Sequence, residues 1–235
     1  MSEFPAYQTA PQHSGLVPSL VPSLRVRSVV VIVALALSTL ASVATLVVPL
    51  VLTDIDTVRI LAGVNVALTL IAGIAWVTWE YRARTNLPRF SVHNLKWAPG
   101  WTIGGWFIPL ANLVLPILIL NEIDKATAER AASAAESGTG WSERDSGRPI
   151  FVLWAVTWTL HNLAGYSTLG LGSSSQTVGL GLGVIVYLAA GVAAALLVLR
   201  ITNGQEAIRN SRPAEPIATI PAPPPAPVVW PDAAV

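Results

Sequence analysis

The sequence contains no cysteine, which excludes disulfides, thiolate zinc sites, cysteine-ligated iron–sulfur clusters and a cysteine nucleophile. Charge is scarce as well. Only 11% of the 235 residues are Asp, Glu, Lys or Arg, less than half the ~25% of a soluble domain. Lysine is almost missing, with two residues against twelve arginines, and the formal net charge is only +1. There is no basic excess of the kind that attracts nucleic acid, so nucleic acid is not an expected partner. What the chain has in abundance is apolar surface: 53% of its residues are hydrophobic and its mean hydropathy is +0.59. The apolar residues fall in blocks, which points to an integral membrane protein of the all-α class, organised by the bilayer.

The opening does not read as a secretory signal either. The opening "MSEFPAYQTAPQHSGLVPSLVPSL" carries Pro5, Pro11, Pro18 and Pro22 and no basic residue. Arg25 and Arg27 come directly before a 25-residue apolar run, too long for a signal core. That run reads as a retained first span, and residues 1–27 read as a disordered cytoplasmic arm.

Five apolar blocks follow one another: Ser28 to Leu52, Val58 to Trp79, Gly100 to Leu120, Ile150 to Leu171 and Thr177 to Leu199. Each reaches the ~20 residues a helix needs to cross a bilayer, and helix is the state lipid demands of them. The links "TDIDT" and "GSSSQ" are short, so the first two and the last two blocks are expected to form antiparallel hairpins. Alanine-rich "NEIDKATAERAASAAE" has strong helix propensity. The proline-dense end, with Pro221, Pro224 and Pro227 at P-x-x-P spacing, reads as an extended tail over 206–235. A helical membrane domain over 28–205 lies between arm and tail.

The third block, within "PGWTIGGWFIPLANLVLP", is interrupted by Pro109 and Pro116 around Asn112. Each proline removes an N–H and would release a carbonyl, that of Gly105 and that of Asn112. Charge placement bears on whether this block crosses, because Lys and Arg of short loops favour the cytoplasmic side. Five crossings from an inside N-terminus leave six basic residues inside and eight outside; a third block that returns to its own side leaves thirteen inside and only Arg59 outside. The expectation is therefore four transmembrane helices in two hairpins, both termini cytoplasmic, with residues 100–120 re-entrant or steeply bent. A kinked fifth span is the alternative.

Several of these stretches carry a family resemblance. "WEYRARTN" (79–86) fits W-x-x-R-A-x-x-N. It is followed by "PGW" (99–101), "WFIPLANLVLP" (106–116), and Glu122, Ile123 and Ala126. Together they resemble the bacterial membrane family catalogued as domain of unknown function 4328, over roughly residues 30 to 205. The family pattern often has an aromatic pair before the motif's Phe, where this chain has Gly105 and Trp106, a departure expected to loosen local packing. The resemblance implies a multi-pass protein of the bacterial plasma membrane; it implies no catalytic residues.

The residues that stand out can each be read in two ways. Asn112 either lines a polar cavity or satisfies the carbonyls released by the prolines, and the second is favoured because buried polar groups seek partners. Trp79, Arg82, Ala83 and Asn86 share a helix face, with Glu80 and Arg84 placed to pair on another. The simplest reading is a charged cytoplasmic collar with an aromatic belt; the functional one is an anionic lipid headgroup held by Arg82, Arg84 and Arg89. Trp101 and Trp106 belong to the central motif, with Glu122 beyond it. Trp154, Trp158, His161 and Gly165 form a stripe flanked by Asn162 and Tyr166. No acid is expected deep in a span, so interhelical hydrogen bonding is the better reading of His161 and Asn162. Gly179 with Gly183, and Gly191 with Ala195, have the small-residue spacing of close helix contacts.

No metal cluster, phosphate loop, nucleophile elbow or paired carboxylate is visible, so neither catalytic, cofactor nor metal residues are expected. The functional expectation is a non-enzymatic interaction or scaffold protein, with membrane lipids, another membrane protein or a second copy as partner. The alternative is a small transporter or channel component with its site at the broken third segment.

Overall fold

The computed structural model describes residues 20–51, 54–109, 111–136, 148–167 and 176–211, with the side chains of all but 135–136, 161, 163–167 and 176–182. The N-terminal arm before residue 20, residues 172–175 of the "GSSSQ" link and the proline-rich tail from residue 212 lie outside the described residues. Every regular element among the described residues is helical. Helix α1 spans Arg25–Val47, α2 Ile55–Asn86, α3 Trp101–Phe107, α4 Leu115–Glu136, α5 Arg148–Ser167 and α6 Gln176–Asn210.

Local chemistry accounts for most of the boundaries. Pro49 turns the end of α1 into a 3-10 turn, Val48–Leu50. Asp54 caps α2, accepting from the Thr57 backbone N–H at 2.9 Å and from its hydroxyl at 2.6 Å. At the other end Pro88 opens a 3-10 turn, Leu87–Phe90, and Ser91 leaves it at φ 65° in the left-handed region. The start of α1 is capped from afar. Its Leu24 N–H donates to Glu206 Oε1 on α6 at 2.9 Å, and the Ser23 hydroxyl donates to the same oxygen at 2.6 Å. Val21 and Leu24 are buried, so structure begins inside the segment expected to be a disordered arm. Likewise α6 continues past residue 205, because its last turns hold this N-terminal stretch.

The third apolar block is broken. The α3 axis and the segment Ala111–Ala134 meet at 116°, and Pro109 sits in the break. Pro116 plays a different part from the one expected. It falls in the first turn of α4, where a missing N–H costs no hydrogen bond, so it starts a helix instead of interrupting one. Gly105 is buried, and a Cβ there would lie 3.2 Å from the Leu115 Cβ. Gly105 thus lets α3 fold back closely on α4, where looser local packing was expected.

Among the described residues, three helical stretches are long and apolar enough to cross a membrane: Arg25–Leu50, Ile55–Phe90 and Gly183–Asn210. The bent pair counts as a fourth if it is one broken span. In α5 the shorter stretch Arg148–Leu160 is apolar. Helix α1 packs along α2 and α6, and both α4 and α5 pack on α6. The tightest core lies toward one end, hereafter the charged end, where Trp79, Leu87, Ile119, Leu120, Ile123, Leu197 and Ile201 are fully buried. Along the rest of the bundle Val30, Leu37, Ile60, Leu70, Ile74, Ile185 and Val192 face outward. In water this would be an extended apolar surface; against lipid tails it is solvated. Among the described residues the fold is all-helical, and its apolar helices are compatible with a membrane protein.

Candidate functional site

Four tryptophans from three helices form a continuous aromatic wall. Trp76 of α2 stacks on Trp154 of α5, centroids 5.9 Å apart and planes at 13°. Trp154 stacks in turn on Trp158 at 6.3 Å and 11°, as side chains one helical turn apart can. Trp106 of α3 meets Trp158 edge-on at 5.2 Å and Trp76 at 6.3 Å. The broken third block therefore has a visible consequence: it brings Trp106 back against the spans.

This wall bounds a chamber of about 550 Å³ between α1, α2, α5 and α6. Its other lining is apolar with scattered hydroxyl and amide groups, notably Ser38, Ser42, Asn65, Thr69 and Tyr187. Two pairs of these bond across α1 and α2: Ser42 donates to Asn65 Oδ1 at 3.0 Å, and the Ser38 and Thr69 hydroxyls lie 3.2 Å apart. Such bonds satisfy polar groups that lipid could not. On the far wall Gly191 of α6 lets α1 come close, since a Cβ there would lie 2.5 Å from Thr39 Oγ1. The small-residue spacing around Gly191 thus marks a true helix contact.

Behind the wall lies Glu80, one turn beyond Trp76 and fully buried. Both indoles donate to the same oxygen, Trp76 Nε1 at 3.1 Å and Trp106 Nε1 at 3.0 Å from Oε2. Oε1 has no hydrogen-bond partner. This corrects two expectations: an acid does lie within a candidate span, and it does not pair with Arg84. Arg84 is itself buried, donates to the Trp97 carbonyl, and has its Nε 3.9 Å from Glu122 Oε2. Glu122 also accepts the backbone N–H groups of Lys96 and, at 3.2 Å, Trp97. The motif glutamate is thus a staple for the loop that precedes α3. Trp101, at the start of α3, is 41% exposed and packs edge-on against Trp97 at 6.4 Å.

The expected collar at the end of α2 is instead an interhelical lock. Trp79 is fully buried, and its Nε1 donates to Thr202 Oγ1 on α6 at 3.1 Å. Asn86 Nδ2 donates to Gln205 Oε1 at 3.1 Å and to the Pro22 carbonyl at 3.2 Å. Gln205 Nε2 returns a bond to the Ala83 carbonyl at 2.9 Å. Close by, Arg200 Nε meets Asp124 Oδ1 at 2.8 Å. Of the arginines read as a headgroup site, Arg84 is committed to Glu122, while Arg82 keeps a buried Nε without a partner and feels the charges of Arg89 and Arg27.

The remaining expectations divide. Asn112 does not satisfy a released carbonyl: its Oδ1 is buried without a partner, while its backbone N–H donates to the Ile108 carbonyl at 2.7 Å. Asn162 Nδ2 donates within its own helix, to the Trp158 carbonyl at 2.8 Å, not between helices. The side chain of His161 lies outside the described residues, as does that of Gly165's neighbour Tyr166. The sequence does not single out Gln205, Thr202 or Arg200, and it reads Glu80 only as a partner for Arg84. For Glu80 a local signal existed, its i, i+4 spacing from Trp76.

A family model described as Domain of unknown function (DUF4328) matches residues 45–204, more than half of the chain. No curated protein and no solved structure matches it.

Proposed function

The chain belongs to the family described as Domain of unknown function (DUF4328), and for a member built in this way we propose a binding role. It is a non-enzymatic, multi-pass protein of the bacterial plasma membrane that holds a small amphiphilic molecule between its helices. The chamber carries this reading: its volume of about 550 Å³ falls in the range of ligand pockets, and an apolar lining with a few polar groups suits an amphiphile. Serines, threonines, an asparagine and a tyrosine around it supply hydrogen bonds without an adjacent nucleophile and base among the described residues.

Gly73 lines the chamber, and a Cβ there meets nothing within 4 Å, so Gly73→Leu fills space without a clash. Protein purified from native membranes should carry a bound amphiphile detectable by native mass spectrometry, and brominated lipid should quench its tryptophan fluorescence. Gly73→Leu should weaken both. Equal occupancy and quenching in the variant would remove the chamber from the function.

A transport role is the second reading. It is favoured by one observation, that the broken segment contributes Trp106 both to the chamber and to a buried acid. Solute flux through purified protein in liposomes, absent in Gly73→Leu, would move the assignment to transport. For the topology, the proposal is four spans with α3 and α4 entering and leaving on the cytoplasmic side, supported by the thirteen-to-one placement of basic residues. Since the chain has no cysteine, a single Ala135→Cys can be probed cleanly; labelling from outside would refute this topology.

A further inference from the structure

We infer that Arg27, Arg82 and Arg89 form a site for the phosphate of an anionic phospholipid at the charged end, separate from the chamber. Three elements contribute. Arg27 lies in the first turn of α1, Arg82 in the last turns of α2, and Arg89 in the 3-10 turn Leu87–Phe90 that follows. Asn86 ties these elements together: one turn beyond Arg82, its Nδ2 donates to the Pro22 carbonyl just before α1. The charges of Arg27 and Arg89 both reach Arg82.

Three positive charges held together repel one another, and the described acids of this end are engaged elsewhere. Glu206 accepts from Leu24 and Ser23 and lies 3.8 Å from Arg25 and 3.5 Å from Arg209. Glu122 faces Arg84, and Asp124 faces Arg200. Glu80 is only two residues from Arg82, but that spacing puts it on another face of α2, turned to Trp76 and Trp106. Among the described residues no acid forms an ion pair with Arg27, Arg82 or Arg89. Arg82 Nε is moreover buried with no hydrogen-bond partner. A buried donor left unpaired is costly, and a ligand oxygen there removes that cost.

Guanidinium groups match phosphate oxygens in shape as well as in charge. What makes the anion a lipid is the surface next to the cluster. Val30, one turn from Arg27, is 53% exposed, and Ile74, two turns before Arg82, is 67% exposed. Thr78, between Ile74 and Arg82, is exposed as well. A phosphate seated on the arginines thus has apolar helix surface along which acyl chains can lie. The site differs from the headgroup site expected from the sequence: Arg84 leaves it for Glu122, and Arg27 of α1 enters.

The test titrates full-length protein in detergent with phosphatidylglycerol and with phosphatidylcholine of the same chains, counting bound lipid by native mass spectrometry. Phosphatidylglycerol should bind at least about tenfold more tightly. Arg82→Gln and the exposed Arg27→Gln should each reduce that preference about fivefold, the scale of one basic residue at an anionic membrane surface. Lys125→Gln removes the same charge from an exposed residue paired with Glu129 and should leave the preference unchanged. Equal binding of the two lipids, or an equal loss with Lys125→Gln, overturns the inference. The wild-type comparison and the surface variant Arg27→Gln decide the matter even if Arg82→Gln does not fold. Gly73→Leu should keep the preference; its loss there would put the lipid in the chamber and overturn this site. Glycerophosphoglycerol, the same headgroup without chains, should compete only weakly. Competition as strong as that of the lipid would mark a free phosphate ester as the occupant and overturn the lipid assignment.

Discussion

Asn86 and Gln205 face each other across α2 and α6, with 3.1 Å between Asn86 Nδ2 and Gln205 Oε1. Both side chains are buried, and Gln205 also reaches the Ala83 carbonyl at 2.9 Å. Gln205→Leu would leave the Asn86 amide with only the Pro22 carbonyl and take a donor from the Ala83 carbonyl. It should destabilise the protein by about 1–3 kcal/mol, the penalty for buried groups left unpaired. The double change Asn86→Leu with Gln205→Leu should cost less than the sum of the single changes. Thermal unfolding in detergent measures all four corners of this cycle, and strict additivity would show that the two amides do not act together.

Glu122 holds two backbone N–H groups of the loop before α3 and also pairs with Arg84. Glu122→Ala releases all of these at once. The loop at Lys96 and Trp97 should become the site of fastest cleavage in limited proteolysis. Trp106 should then lose its fixed position against Trp158, seen as a red shift of tryptophan emission. A cleavage pattern identical to wild type would contradict the stapling role.

Gly191 and Thr39 define how near α6 comes to α1. Gly191→Ala places a methyl group 2.5 Å from Thr39 Oγ1, and overpacking of this kind costs about 1–3 kcal/mol. Adding Thr39→Ala should return most of the lost thermal stability. A single variant as stable as wild type would mean that the two helices are not held at this separation.

Asn112→Leu should be neutral or slightly stabilising in thermal melts, because the Asn112 Oδ1 has no partner to lose and removing an unpaired buried polar group carries little penalty. This outcome reverses the expectation drawn from the two flanking prolines. A clear drop in melting temperature would restore a structural hydrogen bond to this side chain.

Asp54 carries the pH dependence that can be assigned outside the spans. Hydrogen bonds from the Thr57 side chain and then its backbone hold this carboxyl below its ordinary value. The folded state therefore binds its proton less readily than the unfolded state. The capping contribution is fully present above the unfolded value of 3.8 and is lost as pH falls through the lower folded value. Asp54→Ala should lower the melting temperature at neutral pH and flatten its decline below about pH 4; a variant whose acid decline matches wild type would show that the cap does not titrate as described.

What could be read from the residues was whatever is decided within a turn or two of chain. The Asp54 cap, the proline break at Pro109 and the alanine-rich α4 all have causes within a few positions. The same local logic misassigned Glu80 and Trp79. Glu80 lies four residues from both Trp76 and Arg84, so helical spacing alone favours neither; the choice is made by Trp106, 26 residues away. Trp79 near a helix end has the composition of an interfacial belt, yet its partner Thr202 is 123 residues distant. Pro116 shows the limit from the other direction. Proline next to an apolar run marks a discontinuity, but only the path of the backbone tells whether it ends one helix or begins another.

The cap on α1 has a consequence for the order of assembly. Leu24 and Ser23 depend on Glu206, 182 and 183 residues later in the chain. No residue of the α1–α2 hairpin supplies this cap, so the start of α1 closes only when the last turns of α6 pack against it. The two ends of the described bundle are thereby coupled.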